Sequence, residues 1–255
     1  MEDVEHSEEK PQESIHRIGL GDLLSGSRLR QIYAGEPDYY WSDEWTPEFF
    51  VAQAKAGFIS ISYETGKEEL GQVLLPQIHS ANAVLDWEDL HLSKSSRRWM
   101  RSVGFREAGY RLSVDHPLDE VVEGIARCHG ENNWMDGRYP ALLSEVKSRR
   151  WANFELLPVG IVDGEGTLLG GEIGYVTGKV YTSMSGFLDR SAPGFNHVGK
   201  LQLYWLGEYL RDAGFAFWNL GQPYMEYKFS LGAKKVQRVE FLERWWAAAN
   251  SVLPD

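Results

Sequence analysis

The sequence predicts an α+β protein in two parts: a small N-terminal α+β module over 29–87, then a larger domain over 88–255 built on a central mixed sheet. Three observations predict it. Short apolar runs of strand character are interspersed with helical periodicity along the chain. Between 154 and 186 three such runs follow one another across tight turns, the pattern of an antiparallel meander. Lastly, Phe215-Ala216-Phe217-Trp218 reads as a buried strand that stops at Asn219-Leu220-Gly221-Gln222-Pro223. Gly and Pro end the ladder there and leave polar side chains at a strand tip, the place where α/β proteins present a site.

Composition narrows the class. A chain of 255 residues can bury a sizeable core. The single cysteine, Cys128, excludes an internal disulfide framework and fits a reducing compartment. No apolar run approaches the roughly 18 residues that cross a membrane, and no signal-peptide pattern opens the chain. The expectation is a soluble, cytoplasmic protein without a membrane partner. A net charge of −11 argues against a general nucleic-acid coat protein. Residues 1–28 are expected to form an acidic disordered tail, with Met1 to Ser14 its most acidic part. Positive charge gathers at Arg97, Arg98 and Arg101, at Lys147, Arg149 and Arg150, and at Lys234, Lys235 and Arg238. Each cluster is a solvated face or part of a polyanion site.

Within the first module, Tyr39 to Trp45 is an aromatic cluster suited to anchoring the N-terminal region by packing. Thr46-Pro47-Glu48 starts a helix with a cap, a proline at the first position and an acid at the positive dipole end; Gly57 stops it. Strands follow at 58–63, 72–78 and 83–87. In the second part, Asp89 to Ser93 is expected as a strand leading into a helix that carries Arg97, Arg98 and Trp99. Then come a strand at 110–114, helices at 117–128 and 140–150, and the meander strands at 154–162, 168–176 and 179–186. A helix at 200–213 precedes the Phe215 strand, a short helix follows at 224–229, and Lys234 to Arg238 is expected as a cationic loop. A final helix at 241–252 closes the chain. That element order is the order of the acetyltransferase fold.

Familiar catalytic motifs are missing: no Walker loop, no GxGxxG after a strand, no HExxH and no CxxC. Gly170-Gly171 lies within a strand pattern, where paired glycines allow close backbone approach. What remains is the polar strand tip, Asn219 and Gln222, with Glu172, Asp189 and Glu226 as acidic candidates.

Six segments resemble, in order, those of the leucyl/phenylalanyl-tRNA–protein transferases, a branch of the acetyltransferase superfamily. They are Thr46-Pro47…Ala54-Lys55-Ala56-Gly57-Phe58, Leu90-His91-Leu92-Ser93-Lys94-Ser95, Val121 to Ala126, Asn133 to Gly137, Leu169-Gly170-Gly171…Gly174, and Ser230-Leu231-Gly232-Ala233. The resemblance implies transfer of an amino acid from charged tRNA to the N-terminus of an acceptor protein, marking it for degradation. The donor ester is already activated, so no cofactor and no metal is expected. The enzyme must hold two substrates in line, manage one proton and favour charge on the carbonyl oxygen.

The resemblance also assigns residues. Gln222 falls at the family's catalytic Gln; the Asp position falls on Leu220, or on Asn219 if a bulge shifts it by one. The family's Glu falls on Met184. Gln222 and Asn219 are thus the expected catalytic pair, within hydrogen-bond reach of each other or of a shared water. Glu172, Tyr181 and Met184 would line the amino-acid pocket, and a lone carboxylate there would favour an arginyl or lysyl donor. Trp134, Arg97, Arg98, Arg101, Lys234, Lys235 and Arg238 would hold tRNA. Two other readings stay open: a non-catalytic relative that binds tRNA or N-termini, and an acyl-CoA-dependent N-acyltransferase.

Overall fold

Residues 15–191 and 194–250 are described by a computed structural model. The first 14 residues of the expected tail lie outside the described residues. Residues 15–28 depart from the expectation of disorder: they form β1 (His16–Arg17), α1 (Leu20–Leu24) and the start of α2 (Gly26–Ala34). The reason is burial, since Ile18, Leu23 and Leu29 enter the core, while the Ser25 hydroxyl caps α2 by accepting from the Arg28 amide.

β1 pairs in parallel with β2 (Tyr40–Trp41). α3 (Pro47–Lys55) begins as the sequence predicts, with Thr46 Oγ1 accepting from the Phe49 amide at 3.2 Å. It ends at Ala56, followed by Gly57 at φ +83°. β3 (Ile59–Glu64) and β4 (Gln72–Gln77) form a separate antiparallel ribbon. The aromatic cluster packs here: Tyr40 is buried, and Trp45 donates its indole N–H to the Gln72 carbonyl at 3.0 Å.

β5 (Ala81–Leu85) leaves this ribbon. After it come α4 (Lys94–Trp99), α5 (Val103–Ala108), β6 (Arg111–Val114), α6 (Leu118–His129) and α7 (Tyr139–Lys147). The meander is β7 (Phe154–Val162), β8 (Leu168–Thr177) and β9 (Val180–Leu188). Then follow α8 (Phe195–Asp212), β10 (Phe217–Asn219), α9 (Glu226–Leu231), β11 (Lys234–Gln237) and α10 (Arg238–Ala249). The central sheet runs β11-β5-β10-β9-β8-β7-β6 and is mixed, because β10 lies parallel to β9 while the other pairs are antiparallel. This is the acetyltransferase-like fold that the element order predicts.

Three expectations are corrected by this topology. The 89–93 segment is irregular, not a strand: its backbone is held by single bonds such as that from the His91 amide to the Leu231 carbonyl at 3.0 Å. The cationic loop is the edge strand β11 running directly into α10. And β5, which a division at residue 87 assigns to the N-terminal module, sits between β10 and β11 in the large sheet.

Side chains alternate across the sheet. On one face Val180, Ile173, Tyr175 and Phe217 join α3, α6, α7 and α10 in a core that runs from Ile18 to Ala249. On the other, Val159, Tyr181 and Trp218 meet Leu206 and Leu210 of α8 and Leu231 of α9. Arg238 ties the two ends of the chain together. Its buried guanidinium donates to the carbonyls of Gly35, Pro37, Ile78 and His79 and pairs with Asp38.

Candidate active site

The α8–α9 face of the sheet carries one charged, buried constellation, centred on Glu172 of β8. It is only 5% exposed, because β8 is an interior strand. Its Oε1 accepts from the Ser183 hydroxyl at 2.8 Å and the Tyr181 hydroxyl at 3.0 Å. Ser183 in turn accepts from the Trp218 indole N–H at 2.9 Å. Gly174 makes this possible, since a Cβ there would overlap the Tyr181 ring. Burial pushes the Glu172 carboxyl up to about 7, with the two hydroxyls and the charge of Lys228 pulling the other way.

Lys228 of α9 is the second charged member, also 5% exposed. Its ammonium donates to the carbonyls of Leu220 at 2.6 Å and Gln222 at 2.8 Å, so it props the turn that ends β10. Burial lowers Lys228 to about 8, and the Glu172 charge opposes that. A carboxyl held up and an ammonium held down both change protonation state close to neutral pH, the condition for acid–base work. Tyr227 is drawn into the same field: burial and the Glu172 charge raise its phenol.

The strand tip is arranged differently from the expected pair. Asn219 is fully buried; its Oδ1 accepts from the Gly221 amide at 3.0 Å and its Nδ2 donates to Thr182 Oγ1 at 3.4 Å. It closes the turn from inside, with Gly221 at φ +73°. Gln222 is half-buried and donates to Gln77 Oε1 at 3.1 Å, so the two do not bond to each other. Glu172 and Tyr181 are hydrogen-bonded to each other within the core, and Met184 is not with them. A bulge between Ile173 and Gly174 leaves Met184 unpaired on β9, and it packs against the core on the opposite face. Nor is Glu172 the lone carboxylate of the arginyl-donor argument, because two hydroxyls and Lys228 already compensate it.

The expected tRNA contacts divide similarly. Arg97, Arg98 and Arg101 are exposed on or beside α4, and Lys235 is exposed on β11. Lys234 is exposed but pairs with Asp89 at 2.6 Å. Arg238 is buried and committed to the contacts described above, so it does not face a phosphate at the surface. Trp134 stacks edge-on against Tyr139 at 5.2 Å, beside the other core. In the remaining basic cluster Lys147 pairs with Asp115 at 2.5 Å, and Arg149 with Glu48 at 2.6 Å. Lys228 was missed by sequence reasoning. The available signal was a lone lysine between aromatic residues, in a short helix that follows a strand tip.

The mixed central sheet with its bulged meander, and a buried carboxylate behind a polar strand tip, are those of an acetyltransferase-like fold. The model of the leucyl/phenylalanyl-tRNA protein transferase family matches residues 84–245, and the chain belongs to that family, whose members are aminoacyltransferases. No curated protein sequence matches the chain. Among solved structures, FemX is 12% identical, with 83% of this chain and 73% of that one covered at a TM-score of 0.46. The C-terminal domain of a putative lysylphosphatidylglycerol synthetase from Agrobacterium fabrum is 14% identical, covering 84% and 74%, with a TM-score of 0.44. L-PGS from Bacillus licheniformis is 12% identical, covering 80% and 77%, with a TM-score of 0.43. Among the described residues no helix is long and apolar enough to cross a membrane.

Proposed function

We propose that this protein transfers an amino acid from the 3′ end of a charged tRNA to the N-terminal α-amino group of an acceptor protein, marking that protein for degradation. The family match over 84–245 carries the reading. The chemistry is balanced by the residues at hand. The amine nitrogen attacks the ester carbonyl, the bond to the ribose oxygen breaks, and one proton passes from the amine to that oxygen. Glu172, with its carboxyl near 7, takes the proton, and Lys228 holds the Leu220–Gln222 turn in place. Gln222 uses one amide hydrogen on Gln77 and keeps the second for the carbonyl oxygen as it gains charge. No metal or organic cofactor enters the scheme.

The donor side chain is a neutral one in this reading. The Ser183 and Tyr181 hydroxyls already donate to Glu172 and the Lys228 charge acts on it, so an arginine or lysine side chain gains less from this carboxylate than from a lone one. The test is incubation with charged total tRNA carrying labelled amino acids, with a model acceptor protein and with labelled acetyl-CoA in a parallel reaction. Label in the acceptor's N-terminal residue, from tRNA only, is expected. Retention of tRNA without transfer would make the chain a binding relative, and acetyl transfer would make it an acyl-CoA enzyme.

A further inference from the structure

Two of the segments that carry the family resemblance, Leu90 to Ser95 and Ser230 to Ala233, play no part in the chemistry above, yet they meet in space. The His91 amide bonds to the Leu231 carbonyl, and Gly232, at φ +120°, lies so close to the Asp89 carbonyl that any Cβ would overlap it. Between them and α8 opens a cavity of about 50 Å³, lined by His91, Ser93, Lys200, Leu203, Tyr227 and Ser230 among others. That is room for a few waters or one tetrahedral anion, not for a whole cofactor.

Its chemistry points one way. No carboxylate lines it, in a chain with 37 acidic residues against 26 basic ones. Lys200 is exposed and has no ion pair among the described residues. His91 donates its Nδ1–H to the Asp89 carbonyl at 2.9 Å, which fixes the ring at the cavity wall. Beyond the cavity, Arg97 and Arg98 are exposed on α4, which packs against α8. On the other side α9 and the residues before it expose an apolar, aromatic face: Tyr224 is 75% exposed, with Met225, Tyr227 and Phe229 beside it. Cations along a backbone track with aromatic rings alongside are the elements that bind single-stranded nucleic acid. Tyr227 joins this cavity to the acid–base pair, because it lines the cavity while its phenol senses the Glu172 charge.

We propose that the cavity seats a phosphodiester from the single-stranded 3′ end of the donor RNA, with Lys200 as its principal cation and the exposed ring of Tyr224 stacking a neighbouring base. This rests on the tRNA-dependent reading and names a subsite for it. The same phosphate chemistry is offered by a nucleotide cofactor such as coenzyme A, so the experiment carries both. Full-length protein is titrated into a fluorescent, uncharged single-stranded RNA ending in CCA, and anisotropy is followed across a salt series; coenzyme A is the competitor. Lys200→Glu should weaken RNA binding about ten-fold and reduce the salt slope by about 0.7, the share of one single-strand phosphate contact. Lys200→Arg should restore both, and an RNA with neutral methylphosphonate linkages should bind wild type as poorly as Lys200→Glu binds the natural RNA. Equal affinity and slope for wild type and Lys200→Glu would overturn the proposal. So would tighter binding of coenzyme A than of RNA, lost in Lys200→Glu, which would give the cavity to a cofactor phosphate. The transfer assay separates the two readings: wild type that transfers while Lys200→Glu keeps its KM for tRNA refutes the subsite alone. RNA binding that depends on Lys200 in a protein without transfer refutes the reaction alone.

Discussion

Replacing Glu172 by Gln should flatten the pH dependence of stability in one particular window. The carboxyl titrates near 4.5 in ordinary surroundings and at about 7 in the fold. Because the folded value is raised, the stabilisation is fully present below 4.5 and is lost as the pH rises through about 7. At about 1.4 kcal/mol per pH unit, a carboxyl with these two values loses about 2 kcal/mol of unfolding free energy between pH 5 and pH 7. That interval ends below the point at which Lys228 titrates, about 8, so the lysine contributes little to the difference. The amide keeps an oxygen for the Tyr181 and Ser183 hydroxyls, so the packing of the site is retained. Urea unfolding of both proteins at pH 5 and pH 7 measures the effect. The gap between wild type and Glu172→Gln should shift by about 2 kcal/mol across the interval in favour of the variant at the higher pH. Parallel pH profiles would refute the reasoning and put Glu172 in contact with solvent.

Three further outcomes follow from the same geometry. Gln222→Ala should lower turnover about 100-fold, the usual cost of a lost oxyanion donor, with little change in tRNA affinity; steady-state kinetics at saturating tRNA read both. Arg238→Ala strands four carbonyls and Asp38. It should cost about 3–5 kcal/mol in urea unfolding, while the salt slope of tRNA binding stays that of wild type. Gly232→Ala should yield insoluble or unfolded protein, since strain at φ +120° adds to overlap with the Asp89 backbone; soluble, cooperatively melting protein would contradict the crowding of the two family segments.

Where neighbours in sequence decide the structure, the sequence was legible. β7 coincides with the apolar run 154–162, and α3 starts on its Thr-Pro-Glu signal because capping and proline geometry are local. The strand tip was found for the same reason. A pocket position for Glu172 rests on the resemblance alone, since an acid alternating along a strand also fits an exposed edge. The choice depends on β8 lying between β7 and β9, a tertiary fact. Lys228 and Arg238 show the limit most plainly. Lys228 sits alone among aromatic residues and Arg238 in a basic stretch that reads as solvated surface; both are buried because carbonyls converge on them, from the preceding turn for Lys228 and from 159–203 residues away for Arg238. Met184 went astray through one bulge, which moves a side chain to the other face without any composition signal.

The Arg238 hub also sets the order in which the protein can be finished. Gly35, Pro37, Ile78 and His79 emerge from the ribosome about 160 to 200 residues ahead of the guanidinium that satisfies their carbonyls. Until then those groups have only water as a partner. The edge of the central sheet waits on the same event, because β11, which covers β5, immediately precedes Arg238. During synthesis the N-terminal third is therefore a nascent structure with an open seam, and the last strand and last helix close it. A chain that stops short of residue 234 lacks β11 and leaves β5 as a bare edge, ready to pair with a neighbouring chain.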